Sequence, residues 1–264
     1  MSSPPPIVLT FAGSDPTGGA GLQADVLTLA SMGCHPLSVV TALTVQDTLG
    51  VASFDPVDAK RVRMQAERLL ADMQVAAFKL GMLGSAENVE VVAALLADYA
   101  EVPVVLDPVL ASGRGDSLAS EETLAALREL IVPQSTVVTP NSIEARRLSN
   151  TDSLEQAAQR LLQRGAEYVL ITGTHEPGAE VVNTLYDSGG VVRTDRWTRL
   201  PGSYHGSGCT LASAIAAALA NGLAVPEAVR DAQEYTWQAL ASGFRPGAGQ
   251  CIPDRFFWAR EDSA

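Results

Sequence analysis

With 264 residues, 47% hydrophobic and only 18% charged, the chain carries apolar material for one large core, which excludes an intrinsically disordered protein. Its most apolar run, residues 211–220, is alanine-rich and far short of the roughly 20 residues a bilayer-spanning helix needs, so no membrane partner is expected. A formal net charge of −12 repels polyanions and makes nucleic acid an unsuitable partner.

Residues 1–6 show neither a basic region nor an apolar signal core and read as a short disordered lead-in. From residue 7 to residue 264 the pattern reads as a single domain in which apolar β-rich runs alternate with amphipathic helices. A strand over 7–11 enters a glycine turn, followed by a helix over 21–32, a strand over 39–44 and a helix over 58–73. The spacing then predicts strand 76–80, helix 86–99, strand 102–106, helix 121–131 and strand 136–138. Helical pieces at 142–148 and 154–164 precede strand 168–172. Segments 181–186 and 191–197 flank Asp187-Ser188-Gly189-Gly190 as an antiparallel hairpin. Helices over 208–221 and 226–242 complete the pattern. This alternation predicts an α/β fold of three layers, a mostly parallel sheet with helices on both faces and a small antiparallel hairpin. Ligands bind such sheets outside the carboxyl ends of the strands. The polar and glycine-rich positions gather there: Gly13, Gln46, Met82, Asp107, Asn141 and Thr172 all follow strands.

Three segments carry chemistry. Residues 13–25 hold three glycines within four positions, Gly18, Gly19 and Gly21, and then enter a helix. That is equally the signature of a plain strand–helix turn. It has neither the G-x-G-x-x-G order nor a G-x-x-x-x-G-K-[ST] phosphate loop. In the second segment, His205-Gly206-Ser207-Gly208-Cys209-Thr210 opens a helix of small residues. Glycines at a helix start expose N–H groups suited to a phosphoryl group. Cys209 reads either as a buried structural thiol or as a thiolate whose pKa the helix end lowers. In the third, Asn141-Ser142-Ile143-Glu144 is a capping box, or a carboxylate and an amide placed to hold hydrated Mg²⁺. The chain has 16 arginines and two lysines, Lys60 and Lys79, so phosphate binding falls mostly to backbone N–H groups, arginine or a metal. Three widely spaced cysteines, Cys34, Cys209 and Cys251, suggest neither a disulfide framework nor a zinc site, and fit a reducing cytoplasm.

Residues 13–25 and 40–48, Lys79-Leu80-Gly81-Met82-Leu83, Leu106-Asp107-Pro108-Val109, residues 139–144 and residues 205–210 occur in one order. That ordered set resembles hydroxymethylpyrimidine/phosphomethylpyrimidine kinase of thiamine biosynthesis, in the ribokinase-like superfamily. The resemblance implies a ribokinase-like fold and ATP-dependent phosphorylation of 4-amino-5-hydroxymethyl-2-methylpyrimidine, then of its monophosphate to the diphosphate, with Mg²⁺ as cofactor and a homodimer as the assembly. Carried onto these positions, it makes the amides of Gly206, Ser207, Gly208 and Cys209 an anion hole and the Cys209 side chain the group that takes or polarises the hydroxyl proton. Gln46 and Asp25 become ring or hydroxymethyl contacts, Gly13, Met82 and Val109 the pocket wall, and His205 a phosphate contact or a bystander. Asp107 and Glu144 become the metal residues, with Asn141 and Thr172 beside the triphosphate. Two departures stand out. Thr172 occupies a place where many relatives have lysine, leaving the anion hole and Mg²⁺, or Arg114, to compensate; Ser207 stands where threonine is usual. A pyridoxal or pyridoxine kinase on the same scaffold is the alternative, since its substrate is also a flat ring bearing CH₂OH.

Overall fold

The computed structural model describes residues 4–111 and 118–260. The chain runs β1 (Ile7–Ser14), α1 (Gly21–Ser31), β2 (His35–Gln46), β3 (Val51–Pro56), α2 (Ala59–Asp72), β4 (Ala77–Leu80), α3 (Ala86–Leu96) and β5 (Val104–Leu106). It continues through α4 (Glu121–Ala126), β6 (Val137–Val138), α5 (Ser142–Ser149), α6 (Leu154–Gln163), β7 (Tyr168–Ile171), β8 (Glu180–Asp187), β9 (Gly190–Thr198), α7 (Ser207–Ala220) and α8 (Val225–Ala241). Among the described residues the strands form one sheet in the order β3-β2-β1-β4-β5-β6-β7-β8-β9. Its six central strands are parallel; β3 pairs antiparallel with β2 at one edge, and the β8–β9 hairpin closes the other.

Side-chain alternation separates the layers. Val8, Ala77, Val105, Val137 and Leu170 face α1, α7 and α8, whereas Leu9, Phe78, Leu106, Val138 and Val169 face α2 to α6. Both faces are covered, so the central strands read as unbroken apolar runs. The charged exception is Lys79, which shares the Ala77 face and lies fully buried beneath α7. Ala212, Ala214, Ala216 and Ala217 are fully buried, and their small side chains let α7 lie close over β1, β4 and β5. That close approach brings the amino end of α7 to the carboxyl end of β5.

The fold and most elements match the sequence reading, with three differences. Strand β3 was not expected, because an exposed edge strand without an apolar stripe leaves no periodicity to read. The helix expected over 121–131 is α-helical only to Ala126 and then widens into a π turn over Leu127–Ile131. Pro6, expected in a disordered lead-in, is fixed instead: its carbonyl accepts the His35 N–H at 2.8 Å, which ties residue 6 to the start of β2.

Candidate active site

From β1 the chain crosses through α1 to β2 on one side; from β4 it crosses through α3 to β5 on the other. The connections therefore diverge between β1 and β4, and the crevice of a doubly wound sheet opens at such a point. A cleft of about 540 Å³ lies there, along the carboxyl ends of the strands. It extends from Thr44, Gln46 and Val51 at the β2–β3 edge to Thr236, Trp237 and Leu240 on α8.

Two glycine turns meet at its centre. Gly206 caps α7 in a left-handed conformation, φ 82°, and a Cβ there would collide with the Gly19 carbonyl. The N–H groups of Gly206, Ser207, Gly208 and Cys209 donate to no protein group among the described residues, and all four residues line the cleft. Unspent amides of this kind, at the positive end of a helix, are ready to hold an anion. The Gly18–Gly19 turn is the opposite case. The Asp15 carboxylate accepts Thr17 N at 2.8 Å, Thr17 Oγ1 at 2.9 Å, Ala20 N at 2.7 Å and His205 Nε2 at 2.9 Å. Burial alone would raise the Asp15 pKa; the His205 contact and the three other donors outweigh it and hold the carboxyl below its ordinary value. His205, expected as a phosphate contact or a bystander, is thus tied through Nε2 to Asp15 and fastens the two turns together.

A buried charge cluster lies beneath the amides. Lys79 Nζ is 2.8 Å from Asp25 Oδ1 and 4.0 Å from Asp107 Oδ2. Burial would lower the Lys79 pKa, but Asp25, Cys209 and Asp107 prevail and raise it, so the ammonium stays charged. Asp25 corrects the expectation of a substrate contact. It is fully buried, does not line the cleft, and is saturated by Lys79, Thr10 Oγ1 at 2.7 Å and Ser213 Oγ at 2.8 Å. Its role in the structure is to anchor Lys79. Asp107, in contrast, lines the cleft, and its buried Oδ2, 4.0 Å from Lys79 Nζ, has no hydrogen-bond partner among the described residues. An unpartnered carboxylate oxygen beside a cleft leaves room for a ligand or ion. Burial raises the Asp107 pKa, Lys79 opposes the rise, Asp25 adds to it and a hydrogen bond with Cys209 opposes it.

Cys209 lines the cleft beside these groups, and its sulfur accepts the Gly21 N–H at the start of α1. The lowered pKa expected from the helix end is overturned. Burial, opposed by Lys79 but reinforced by Asp107 and Asp25, pushes the thiol up to about 12. The helix-end field loses to desolvation and to two nearby carboxylates, so Cys209 rests as a thiol.

Asn141 and Glu144 form the capping box at the start of α5. Asn141 Oδ1 accepts Ile143 N and Glu144 N at 3.0 Å, and Glu144 Oε2 accepts Asn141 N at 3.0 Å. Glu144 Oε1 also accepts Leu110 N at 3.2 Å, so both of its oxygens already hold backbone donors. Burial and the neighbouring Asp107 lift the Glu144 pKa to about 7 against those hydrogen bonds. Among the described residues no cluster of three acidic, histidine or cysteine side chains forms a closed metal cage. Asp107 and Glu144, the two carboxylates expected at the metal, both line the cleft; Asp107 Oδ2 has no hydrogen-bond partner among the described residues, while each Glu144 oxygen accepts one backbone N–H and keeps a lone pair. Mg²⁺ takes few carboxylates and keeps substrate phosphates and waters, so one free carboxylate suits it. Thr172 lines the cleft next to Asn141, to which it is bridged in parallel. Arg114 lies outside the described residues.

At the other end, Gly13, Met82 and Val109 line the cleft as expected, and Gly13 lies so close to Met82 that a Cβ would stand 3.5 Å from its sulfur. Gln46 Nε2 donates to Thr44 Oγ1 at 2.7 Å, and that hydroxyl donates to Ser14 O at 2.9 Å, which aims the Gln46 amide along the cleft wall.

Comparison with known proteins decides the family. Residues 15–254 match the family model described as phosphomethylpyrimidine kinase. The hydroxymethylpyrimidine/phosphomethylpyrimidine kinase of Streptomyces coelicolor is 42% identical over 254 residues, 93% of this chain and 92% of that protein. This chain belongs to the phosphomethylpyrimidine kinase family. The Bacillus subtilis hydroxymethylpyrimidine/phosphomethylpyrimidine kinase is 34% identical over 96% of this chain and 95% of its own. Among solved structures, the ADP complex of Bacillus subtilis pyridoxal kinase superposes with a TM-score of 0.88 at 30% identity, covering 97% of this chain and 99% of that one. Phosphomethylpyrimidine kinase from Clostridium difficile gives a TM-score of 0.78 at 32% identity, covering 89% and 99%. The fold is therefore ribokinase-like and the enzyme class phosphotransferase.

As a member of the phosphomethylpyrimidine kinase family, the chain carries one central group that sequence reasoning left without a role, Lys79. The available signal was a lysine inside an otherwise apolar parallel strand, where only a paired charge is tolerated. The stacked pair Trp197–Trp237, with centroids 6.5 Å apart and planes at 28°, was also missed at the α8 end of the cleft. Its partners come from β9 and α8, so no local pattern joins them.

Proposed function

We propose that this phosphomethylpyrimidine kinase family member transfers the γ-phosphoryl group of ATP to 4-amino-5-hydroxymethyl-2-methylpyrimidine, and then phosphorylates the monophosphate to the diphosphate. The observation that carries this reading is the set of unspent amides at residues 206–209, set above Lys79 and Asp107. Phosphoryl transfer demands alignment and charge stabilisation more than covalent chemistry, and preorganised N–H donors supply both. The triphosphate lies along Asn141, Thr172 and the α7 turn, with the adenine towards Trp197 and Trp237. The pyrimidine lies between Gly13, Met82 and Val109, with the donor and acceptor of the Gln46 amide on its aminopyrimidine edge. Relatives named for the pyrimidine stand at 42% and 34% identity, against 30% for the pyridoxal kinase, which favours the pyrimidine over the vitamin B6 ring.

Cys209 sits where the CH₂OH group must arrive. Because its thiol holds its proton, Cys209 polarises the alcohol through a hydrogen bond to its sulfur, and the alcohol proton passes to an oxygen of the transferred phosphoryl group. Asp107, with Glu144 behind it, would hold Mg²⁺, which would supply positive charge to the phosphates. Lys79 keeps Asp107 from remaining an uncompensated buried charge. On β2, Thr44 and Gln46 face the cleft while Leu43 and Val45 point outward, 57% and 60% exposed. That apolar outer face supports the homodimer reading, and the free thiols of Cys34, Cys209 and Cys251 support a cytoplasmic one.

The deciding experiment is a coupled ADP-release assay with the hydroxymethylpyrimidine, its monophosphate and pyridoxal in parallel. Turnover with both pyrimidines and at least about tenfold less with pyridoxal is expected; faster turnover with pyridoxal refutes the assignment. Excess chelator is expected to abolish ADP release, and activity that persists removes the metal. Sedimentation of the wild type and of Val45→Glu tests the dimer.

A further inference from the structure

The family match stops at Asp254, and the next residue, Arg255, is a cation only 3% exposed. Its guanidinium donates from Nε to Thr210 Oγ1 at 3.1 Å, from Nη1 to Gly18 O at 3.4 Å and from Nη2 to Gly19 O at 2.5 Å. Thr210 Oγ1 in turn donates to Gly206 O at 2.8 Å, and Thr210 N reaches the same carbonyl at 2.9 Å. One planar fork therefore grips the α1 turn directly and the α7 turn through a single hydroxyl. The backbone of Arg255 is itself fixed: its carbonyl accepts Ser31 Oγ at 2.6 Å and Tyr235 OH at 2.7 Å. Among the described residues no carboxylate forms an ion pair with it. Arg255 does not line the cleft, so whatever it does there it does through these contacts.

We propose that Arg255 is a positioning residue for phosphoryl transfer, locking the carbonyls of Gly18, Gly19 and, by way of Thr210, Gly206. The physical link is peptide planarity. In a trans peptide the C=O of one residue and the N–H of the next point in opposite directions. Holding Gly206 O on the α7 side therefore keeps the Ser207 N–H aimed at the cleft. The carbonyls of Gly18 and Gly19 are likewise turned away from the phosphoryl site, where their negative ends would oppose an incoming anion. Lysine cannot replace this fork, since one ammonium on a flexible stem does not present the planar donor set. The inference rests on the reading of residues 206–209 as the phosphoryl-binding amides.

Arg255→Lys and Arg255→Ala test it, assayed well below their melting transitions beside Cys209→Ala. For Arg255→Ala, kcat is expected to fall at least about tenfold with both KM values within about threefold, and millimolar methylguanidinium is expected to restore part of kcat. Arg255→Lys is expected to lose less, with the same unchanged KM. Wild-type kcat in either folded variant overturns the proposal, as does a loss spread equally over kcat and KM that methylguanidinium leaves untouched. Should Arg255→Ala fail to fold, the kcat of Arg255→Lys decides alone: lowered supports, unchanged overturns. Full activity in Cys209→Ala would instead place the chemistry elsewhere, whereas an impaired Cys209→Ala beside unimpaired Arg255 variants removes only the role of Arg255.

Discussion

Two glycine-rich turns enter two helices side by side, yet they end in opposite states. In the turn before α1 a carboxylate, Asp15, collects two amides, a hydroxyl and an imidazole, and the leading N–H of α1 goes to the Cys209 sulfur. In the turn before α7 there is no such side chain, and the amides of residues 206–209 stay unspent. The first is therefore a buttress and the second a receptor. Glycine content does not separate them; a local acceptor within reach of the helix start does. The buttress in turn shapes the receptor, because Gly19 O packs where any Cβ on Gly206 would have to stand.

Substitutions that exchange these roles break or sharpen the contrast. The largest effect is expected for Gly206→Ala, since the left-handed φ and the Gly19 carbonyl both reject a side chain. Turnover should drop by about 10²- to 10³-fold, the scale of losing an oxyanion donor, with a lower Tm. Near-normal ADP release in that variant would show that the receptor tolerates a rebuilt turn. Next, Cys209→Ala should cut kcat about 10²-fold while ATP binding, followed by direct titration, persists. Unimpaired kcat would remove Cys209 from the activation of the alcohol.

Asp15→Asn is expected to act first on stability, lowering it by roughly 2–3 kcal/mol through loss of charged acceptors in a buried hub, with a smaller loss of turnover. Because the folded-state pKa of Asp15 lies below the 3.8 usual for an aspartate, the carboxylate stabilises the fold at pH above that value, and the contribution is lost as pH falls through the folded pKa. The gap in Tm between wild type and variant should therefore hold at neutral pH and close in acid. A gap independent of pH down to unfolding would contradict the hub. The smallest effect is expected for Gly18→Ala. Its φ of 75° is strained for alanine, but nothing lies within 4 Å of the added Cβ. About 1 kcal/mol of stability should be lost with turnover within about twofold. A large loss of turnover would mean that the buttress itself touches substrate.

Much of the architecture was legible in the sequence because buried parallel strands and covering helices impose strict periods of apolar residues. The weak spots were places without such a period: edge strand β3, and the late turn of the helix over 121–131, where α gives way to π. Among site residues, Gly13, Gln46, Met82, Val109, Asp107, Asn141 and residues 205–209 converge on one cleft because each follows a strand or opens a helix. Asp25 misled because position within a motif does not tell which way a helical side chain points. It faces Lys79 and Ser213 under α7, not the cleft. Glu144 was legible as a cap, and the cap bonds are what occupy its oxygens.

From the residues alone came the layered α/β class, the family and the neighbourhood of the site, since these depend on local pattern and on motifs in fixed order. Tertiary structure alone decided which charges meet. Lys79, Asp25 and Cys209 come from three separate elements, Asp107 follows β5, and Arg255 reaches Gly19 from 236 positions away. The protonation state of the thiol was decided there too. Desolvation and neighbouring charge depend on distances in space, and no spacing along a chain encodes them.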